Sequence, residues 1–267
     1  MKAIYALYAI LFARPAFFRF NQVVYNLGLR GLGVLNWQTE HLRGERDLLQ
    51  SLLAKVSPGD VVIDVGANEG NFSAMVLELA RDAKVYAVEP HPKTFARLRQ
   101  RLGQSATCLN VALASSPGTA KLFDYSGRDG SSHASLHKSA ITDLHKSAVT
   151  DVEVVVETLG NPTRSNGITE VFLLKIDAEG AEREILRGAA QELESGALRI
   201  RYLHIEFNEM NVVSQSFIRD FEAMLPDHTP HRLLPGGRLL NLSEHPPVMK
   251  EIFAYQNIVF IHRDLSA

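Results

Sequence analysis

The 267-residue sequence is poor in several features that announce function. It has one cysteine, Cys108, and one tryptophan. A lone thiol excludes an intramolecular disulfide framework and a cysteine-rich zinc site, and it fits a reducing, cytoplasmic setting. Neither sign of charge dominates, since 28 basic and 30 acidic side chains leave a net charge of −2. Such a balance gives no chain-wide footprint for nucleic acid or anionic lipid, so no nucleic-acid partner is expected. The N-terminal apolar run, Ala3 to Ala13, ends at Arg14 and Pro15, far short of the ~20 residues a membrane span needs.

What the sequence does have is enough length for one α/β core with an appendage. The first residues are unlike the rest. Lys2, Arg14, Arg19, Arg30 and Arg43 stand against Glu40, with Phe17, Phe18, Phe20 and Tyr25 among them. We read residues 1–44 as a helical N-terminal extension and 45–267 as the main domain. Apolar helices of this kind are expected to pack on the domain or on a second copy in a homo-oligomer, with peripheral membrane association as the alternative.

From Leu48 onward β-rich runs alternate with helical patterns, the signature of a doubly wound, mostly parallel sheet with helices on both faces. The expected strands are Val61–Val65, Val85–Glu89, Cys108–Ala112, Val171–Asp177, Arg201–Phe207 and Asn257–His262. Their unbroken Val, Ile and Leu imply burial on both faces. Helices are expected over Phe72–Arg81, Thr94–Leu102, Ala181–Glu194 and Ser216–Leu225.

The stretch Ala120–Leu159 breaks the alternation and contains a near repeat, LHKSAITD from Leu136 and LHKSAVTD from Leu144. Two eight-residue copies cannot stack into a core, so a surface loop or lid is expected. His133, His137 and His145 lie there, but no acidic or thiol partner is spaced to complete a metal shell, and no metal site is assigned.

The sharpest local signal is Asp64-Val65-Gly66-Ala67-Asn68-Glu69-Gly70, a strand end running into a helix. Gly66 permits a tight turn, and Gly70 leaves room where a nucleoside or its tail would lie. This is not a dinucleotide site, because Asn68 and Asn71 stand where G-x-G-x-x-G needs glycines, and no G-K-[ST] ends a phosphate loop. Glu89 ends the second strand, placed to accept both hydroxyls of a ribose. Asn110, Val111 and Ala112 end the third, where an adenine could lie between apolar side chains. Asp64 alone could cap a helix and Glu89 alone be solvated. Together, on three successive strand ends, they point to an adenosine-containing ligand, since open α/β sheets bind ligands at the carboxyl ends of their strands.

These residues resemble the first motifs of class I S-adenosylmethionine-dependent methyltransferases, and more narrowly the FkbM family. The narrower resemblance is carried by VVIDVGANEGNFS from Val61, VYAVEPHPKTFARL from Val85, LLKIDAEGAEREILRGA from Leu173 and QNIVFIHR from Gln256. The block Asp177, Glu179, Gly180, Glu182 is its most specific part. It covers Glu45 to the C-terminus and omits the first forty residues and the duplicated stretch. The resemblance implies a Rossmann-like fold, S-adenosyl-L-methionine as cofactor, and O-methylation of a hydroxyl on a sugar, glycan or polyketide-type product. By position it implies that Asp64, Gly66, Asn68 and Gly70 line the methionine end, that Glu89 holds the ribose, that Asn110 and Val111 flank the adenine, and that Asp177 stands by the methyl group. Glu179 and Glu182, opening a helix, serve its dipole as readily as a ligand.

Methyl transfer to an alcohol needs alignment and a base. Alternation puts Lys175 and Asp177 on one face of their strand, and Tyr202, His204 and Glu206 on one face of theirs. If these strands are neighbours, Asp177 and Glu206 meet at their carboxyl ends. The candidate catalytic residues are therefore Asp177, Glu206 and His204, the last equally suited to a satisfied core histidine. Metal-free base catalysis is expected; a divalent ion held by the two carboxylates is the alternative. A nucleobase amino-methyltransferase is disfavoured, because Asp177-Ala178-Glu179-Gly180 stands where an N/D-P-P-Y/F/W block belongs. A non-catalytic module that only binds the cofactor is a rival of another class. Residues Ser126–Ser147, Arg232–Arg238 and the N-terminal helices are expected to shape the acceptor pocket, and their polar composition favours a glycan over an apolar acceptor.

Overall fold

Strands built from continuous Val, Ile and Leu cannot leave either face in water, and helices cover both. A computed structural model describes residues 2–125, 134–136, 138, 142 and 148–265. Its strands are β1 Val61–Val65, β2 Lys84–Val88, β3 Thr107–Leu109, β4 Ala112–Leu113, β5 Gly118–Tyr125, β6 Val149–Glu157, β7 Glu170–Ile176, β8 Arg199–Phe207, β9 His228–Leu234, β10 Arg238–Asn241 and β11 Gln256–His262. The helices before β3 are α1 Lys2–Phe12, α2 Phe18–Gly31, α3 Glu40–Arg43, α4 Glu45–Leu53, α5 Asn71–Leu79 and α6 Pro92–Leu102.

The main sheet runs β10-β9-β11-β8-β7-β1-β2-β3. From β8 to β3 all strands are parallel, whereas β11 is antiparallel to both β8 and β9. Strand order reverses at β1, with β2 on one side and β7 on the other. A crevice opens at such a switch point, and here lie the carboxyl ends of β1, β2, β7 and β8. On one face Leu48, Leu49 and Leu52 of α4, with Phe72 and Val76 of α5, pack over Val62, Leu173, Tyr202 and Val259. On the other, Ile185, Leu186 and Phe221, from helices Glu182–Arg187 and Ile218–Met224, cover Ile63, Leu174, Leu203 and Phe260.

The six expected strands are all present, and several boundaries differ. The third ends at Leu109; the chain then leaves the sheet, and Ala112–Leu113 joins a separate three-stranded sheet, β4-β6-β5. That small sheet corrects the expectation of a loop over Ala120–Leu159. Gly118 to Tyr125 pair residue for residue with Val156 to Val149 in an antiparallel ladder. The duplicated octapeptides lie largely outside the described residues, as do His133, His137 and His145. The expected helix Ala181–Glu194 is two pieces, broken where the Gly188 carbonyl turns to accept from the Gly160 amide at 3.1 Å.

Packing begins earlier than the expected boundary at residue 44. Helix α1 buries no residue and α2 only Leu29, but Val34 is fully buried and the Leu35 amide donates to the Tyr255 carbonyl at 2.8 Å. Arg232, expected in the acceptor pocket, is fully buried instead. Its Nε donates to Gln256 Oε1 at 2.6 Å and its Nη2 to the Met249 carbonyl at 2.7 Å. It staples the C-terminal segments together, and burial holds its pKa down to about 10.

Candidate active site

Strand register sets the site. Asp64 of β1 is directly opposite Lys175 of β7, and Lys175 is opposite His204 of β8. Residues in register on parallel strands project to the same face, so one row of polar side chains crosses three buried strands. Just beyond, at the strand ends, stand Asp177 and Glu206. These groups repel one another electrostatically, and the repulsion adds to burial in pushing the Glu206 carboxyl well above its ordinary pKa. The expected meeting of Asp177 and Glu206 therefore holds.

Lys175 is the counter-charge. Its Nζ donates to Asp177 Oδ2 at 2.9 Å and lies 5.2 Å from the centre of the Phe72 ring. Burial alone would depress its pKa; Asp177, Asp64 and Glu45 outweigh that and hold the ammonium above the ordinary lysine range. Asp64 is wholly buried, and burial raises its carboxyl pKa despite Lys175 and the Ser73 hydroxyl, which donates to Oδ2 at 2.7 Å. Its other oxygen, Oδ1, is buried without a hydrogen-bond partner. A buried acceptor left unpaired is costly, and here it belongs to a residue that lines a cavity.

That cavity, of about 550 Å³, is lined by Asp64, Gly66, Asn68, Lys175, Asp177 and Glu206 on the sheet side. Glu40, Arg43, Glu45 and Tyr255 line it from the N- and C-terminal segments. A second, narrow cleft of about 60 Å³ shares Gly66, Asn68 and Asp177 with the first and continues past Glu89, Val111 and Leu113 to Leu122 and Leu136. Asp64 and Glu89 thus flank two joined hollows, with Gly66, Asn68 and Asp177 at the junction. Four described non-glycine residues have positive φ, and two of them, Asn68 and Glu179, line these hollows. Strained backbone of this sort concentrates at functional sites.

Glu89 is nearly buried, and its oxygens accept from the Asn68 amide at 2.9 Å and the His91 amide at 2.8 Å. Burial raises its pKa to about 7, against the lowering effect of those two amides. Each carboxylate oxygen keeps a further lone pair for a ligand hydroxyl. Gly66, at φ 78°, belongs where it was expected for a further reason: a Cβ there would stand 1.8 Å from the Asp177 carbonyl oxygen.

Other expected residues sit elsewhere. Gly70 faces Leu98 and Leu102 of α6 and lines neither hollow, so packing, not a ligand, demands a glycine there. Asn110 also lines neither; its Nδ2 donates to the Glu89 carbonyl at 2.8 Å and the Pro90 carbonyl at 2.9 Å, fixing the turn that carries Glu89. His204 is buried, paired through Nε2 with Asn257 Oδ1 at 3.0 Å, and faces neither hollow. Burial lowers its pKa, and it is a satisfied core histidine, not a base at the cavity. Glu182 accepts from the Ala178 and Gly180 amides at 3.1 Å each and holds the turn after Asp177. Sequence reasoning missed Arg43, Glu45 and Tyr255. No spacing marks them, because Arg43 and Glu45 flank the turn between α3 and α4, Tyr255 stands just before β11, and only the fold brings these to the cavity.

Among the described residues, no group of three or more His, Cys, Asp and Glu side chains is placed to hold a metal ion. The donor set suits a different ligand: one whose ammonium meets the orphaned Asp64 oxygen and whose vicinal diol meets Glu89.

The family described as the methyltransferase FkbM domain matches residues 64–230, a span that contains Asp64, Glu89, Asp177 and Glu206. The chain belongs to the FkbM methyltransferase family. Three curated relatives are methyltransferases by name. Hexuronic acid methyltransferase AglP of Haloferax volcanii is 29% identical over 171 residues, 63% of this chain and 66% of that protein. The 2-O-methyltransferase NoeI of Sinorhizobium fredii is 25% identical over 217 residues, 76% of this chain and 81% of that protein. Methyltransferase sdnD of Sordaria araneosa is 27% identical over 166 residues, 52% of this chain and 64% of that protein. The match thus spans just under two thirds of the first of these relatives. This FkbM-family chain is built on an α/β Rossmann-like sheet, and its two hollows lie at the switch point where such sheets bind ligands.

Proposed function

We propose that the protein transfers a methyl group from S-adenosyl-L-methionine to a hydroxyl of a sugar or glycan. The observation that carries this reading is the junction of the two hollows, where Gly66, Asn68 and Asp177 are shared between a cleft edged by Glu89 and a cavity floored by Glu206. Glu89 accepts the ribose hydroxyls. Val111 and Leu113 offer apolar contact to the adenine, and the Asp64 Oδ1 accepts from the amino group of the methionine tail. The cleft as it stands is narrower than a nucleoside, and Leu122 and Leu136 form the side that would have to give way to one. The cofactor supplies an electrophilic methyl on a sulfonium, which no protein side chain offers.

Glu206 removes the proton of the acceptor hydroxyl. Its carboxyl reaches the cavity and is not tied up by the ammonium, while Lys175 engages Asp177 and holds it in place. Asp177 lines both hollows and orients the acceptor beside the donor, so that oxygen, methyl and sulfur come into line. Because the Lys175 ammonium already pairs with Asp177, metal-free base catalysis is the favoured route. The relative named for hexuronic acid supports a sugar acceptor, and the one named for 2-O-methylation supports transfer to a hydroxyl oxygen. The cavity wall also favours a sugar, since Glu40, Arg43, Glu45 and Arg46 suit a polyhydroxylated molecule better than an apolar one.

A labelled-methyl transfer screen over sugars, glycans and hydroxylated polyketides, with and without chelator, tests the reading. Transfer to a sugar hydroxyl that survives chelation is expected. Label only on polyketides, or loss of turnover on chelation, overturns the acceptor or the metal-free route respectively. Cofactor binding without transfer to any acceptor makes the protein a binding module.

A further inference from the structure

The N-terminal helices carry an apolar surface that the catalytic body does not cover. In α1 no residue is buried, and Ile4, Tyr5, Leu7, Tyr8, Ile10 and Leu11 are between 39% and 69% exposed. Ile4, Leu7, Tyr8 and Leu11 form one stripe at 100° per residue, Tyr5 and Ile10 widen it to both sides, and Ala3, Ala6 and Ala9 occupy the rest, so the helix is apolar all round. A helix that packs on protein needs only a stripe; one apolar all round is suited to an apolar solvent. Helix α2 continues the surface with exposed Phe18, Phe20, Val23 and Tyr25.

The two helices are fixed to each other. They meet at a bend of 100°, and Asn21 holds the corner, accepting from the Tyr8 hydroxyl at 2.6 Å and donating to the Phe12 carbonyl at 2.9 Å. Arg14 donates to the Ile10 carbonyl at 3.4 Å. Two carbonyls at the broken end of α1 thus find partners inside the segment, as backbone entering a lipid phase requires. Among the described residues no single helix is long and apolar enough to cross a membrane, and only the bent pair taken together reaches that length and composition. Eleven residues reach roughly 17 Å, about half of a hydrocarbon core.

Charge distinguishes between the surfaces that could cover these helices. Residues 2–31 carry Lys2, Arg14, Arg19 and Arg30 and no acid, on a chain whose remaining residues are acid-rich. Two copies of so basic a segment repel, whereas an anionic headgroup layer attracts it. Tyr5, Tyr8 and Tyr25 add the amphipathic rings that settle at headgroup level. We propose that residues 2–31 form a bent monotopic anchor that seats the enzyme on an anionic phospholipid surface without crossing it.

Co-sedimentation of the full-length protein with vesicles of phosphatidylcholine, with and without phosphatidylglycerol, tests this without any assay of methyl transfer. Binding is expected to strengthen with phosphatidylglycerol. It should fall at least about tenfold in Leu7→Glu/Ile10→Glu and in Arg14→Glu/Arg19→Glu. These side chains make no core contacts, so both variants should keep the parent melting temperature. Equal pelleting of Leu7→Glu/Ile10→Glu and the parent overturns the anchor. So does a parent dimer that ignores vesicles and that this variant converts to monomer, which assigns the surface to a second copy. Failure of the anchor leaves the methyltransferase reading untouched.

Discussion

Asp64 and Lys175 face each other in register across neighbouring buried strands, and the lysine donates its hydrogen bond to Asp177, two residues on and just past the end of its strand. One ammonium therefore serves carboxylates at two strand ends and a third, Glu45, from the N-terminal segment. Removing it from a buried cluster leaves like charges uncompensated. Lys175→Met is expected to cost about 3–5 kcal/mol of stability at neutral pH. Lowering the pH should restore part of that loss, since Asp64 and Glu206, both already raised, then protonate in the folded state. Urea denaturation of the variant at about pH 8 and about pH 6 checks the sign: a variant more stable at the higher pH contradicts it.

Glu206 and His204 share a strand face, but only Glu206 reaches the cavity. Glu206→Gln should lower kcat by ~10²-fold or more while leaving affinity for S-adenosylhomocysteine within about threefold. His204→Gln should lower the melting temperature and leave the pH profile of kcat in place. Calorimetry and single-turnover kinetics on the two variants separate base from buttress. A Glu206→Gln enzyme of near-normal kcat removes Glu206 from the mechanism.

The Glu89 carboxyl, raised to about 7 by burial, gives cofactor binding a pH dependence. A diol donates to the ionised form, so affinity should be full above this pKa and fall as the pH drops through it. Between about pH 8 and pH 6 the Kd for S-adenosylhomocysteine is expected to rise about tenfold. Glu89→Gln should bind more weakly at the higher pH and show a flat profile, as read by titration calorimetry.

Two glycines of one motif should respond differently to the same substitution. An alanine Cβ at residue 66 would meet the Asp177 backbone at 1.8 Å, whereas at residue 70 it would meet the Leu98 side chain at 2.7 Å. Backbone cannot yield as a leucine tip can. Gly66→Ala should lose cofactor binding and at least about 2 kcal/mol of stability. Gly70→Ala should lose about 1–2 kcal/mol yet bind S-adenosylhomocysteine once folded. Equal loss of binding in both would put Gly70 back at the ligand.

Arg232 offers a test of stability remote from the chemistry. Arg232→Met would leave Gln256 Oε1 and the Met249 carbonyl without the donor they share. About 2–4 kcal/mol of destabilisation is expected, measured by denaturant unfolding, with cofactor affinity unchanged in the folded fraction.

The parallel half of the sheet was legible because burial on both faces demands unbroken apolar runs: VVIDV, VFLLKID and RYLHIEF each became a strand. The small sheet was not. VTDVEVVVE and GTAKLFDY flank a histidine- and serine-rich stretch, their exposed residues blur the pattern, and their partners are set by a ladder that no local period reveals.

The sequence by itself determined that glycine and acidic residues tip successive strands of one switch-point sheet, because those signals are local in the chain: an apolar run, a turn and a charge at its end. Only the tertiary structure decided which of them share a hollow. It brought Lys175 between Asp64 and Asp177, carried Glu45 and Tyr255 to the same cavity, and turned Gly70, Asn110 and His204 into the packing and hydrogen bonds behind it. Strand order and register are long-range choices of the whole core, and they fix which side chains meet at a strand end.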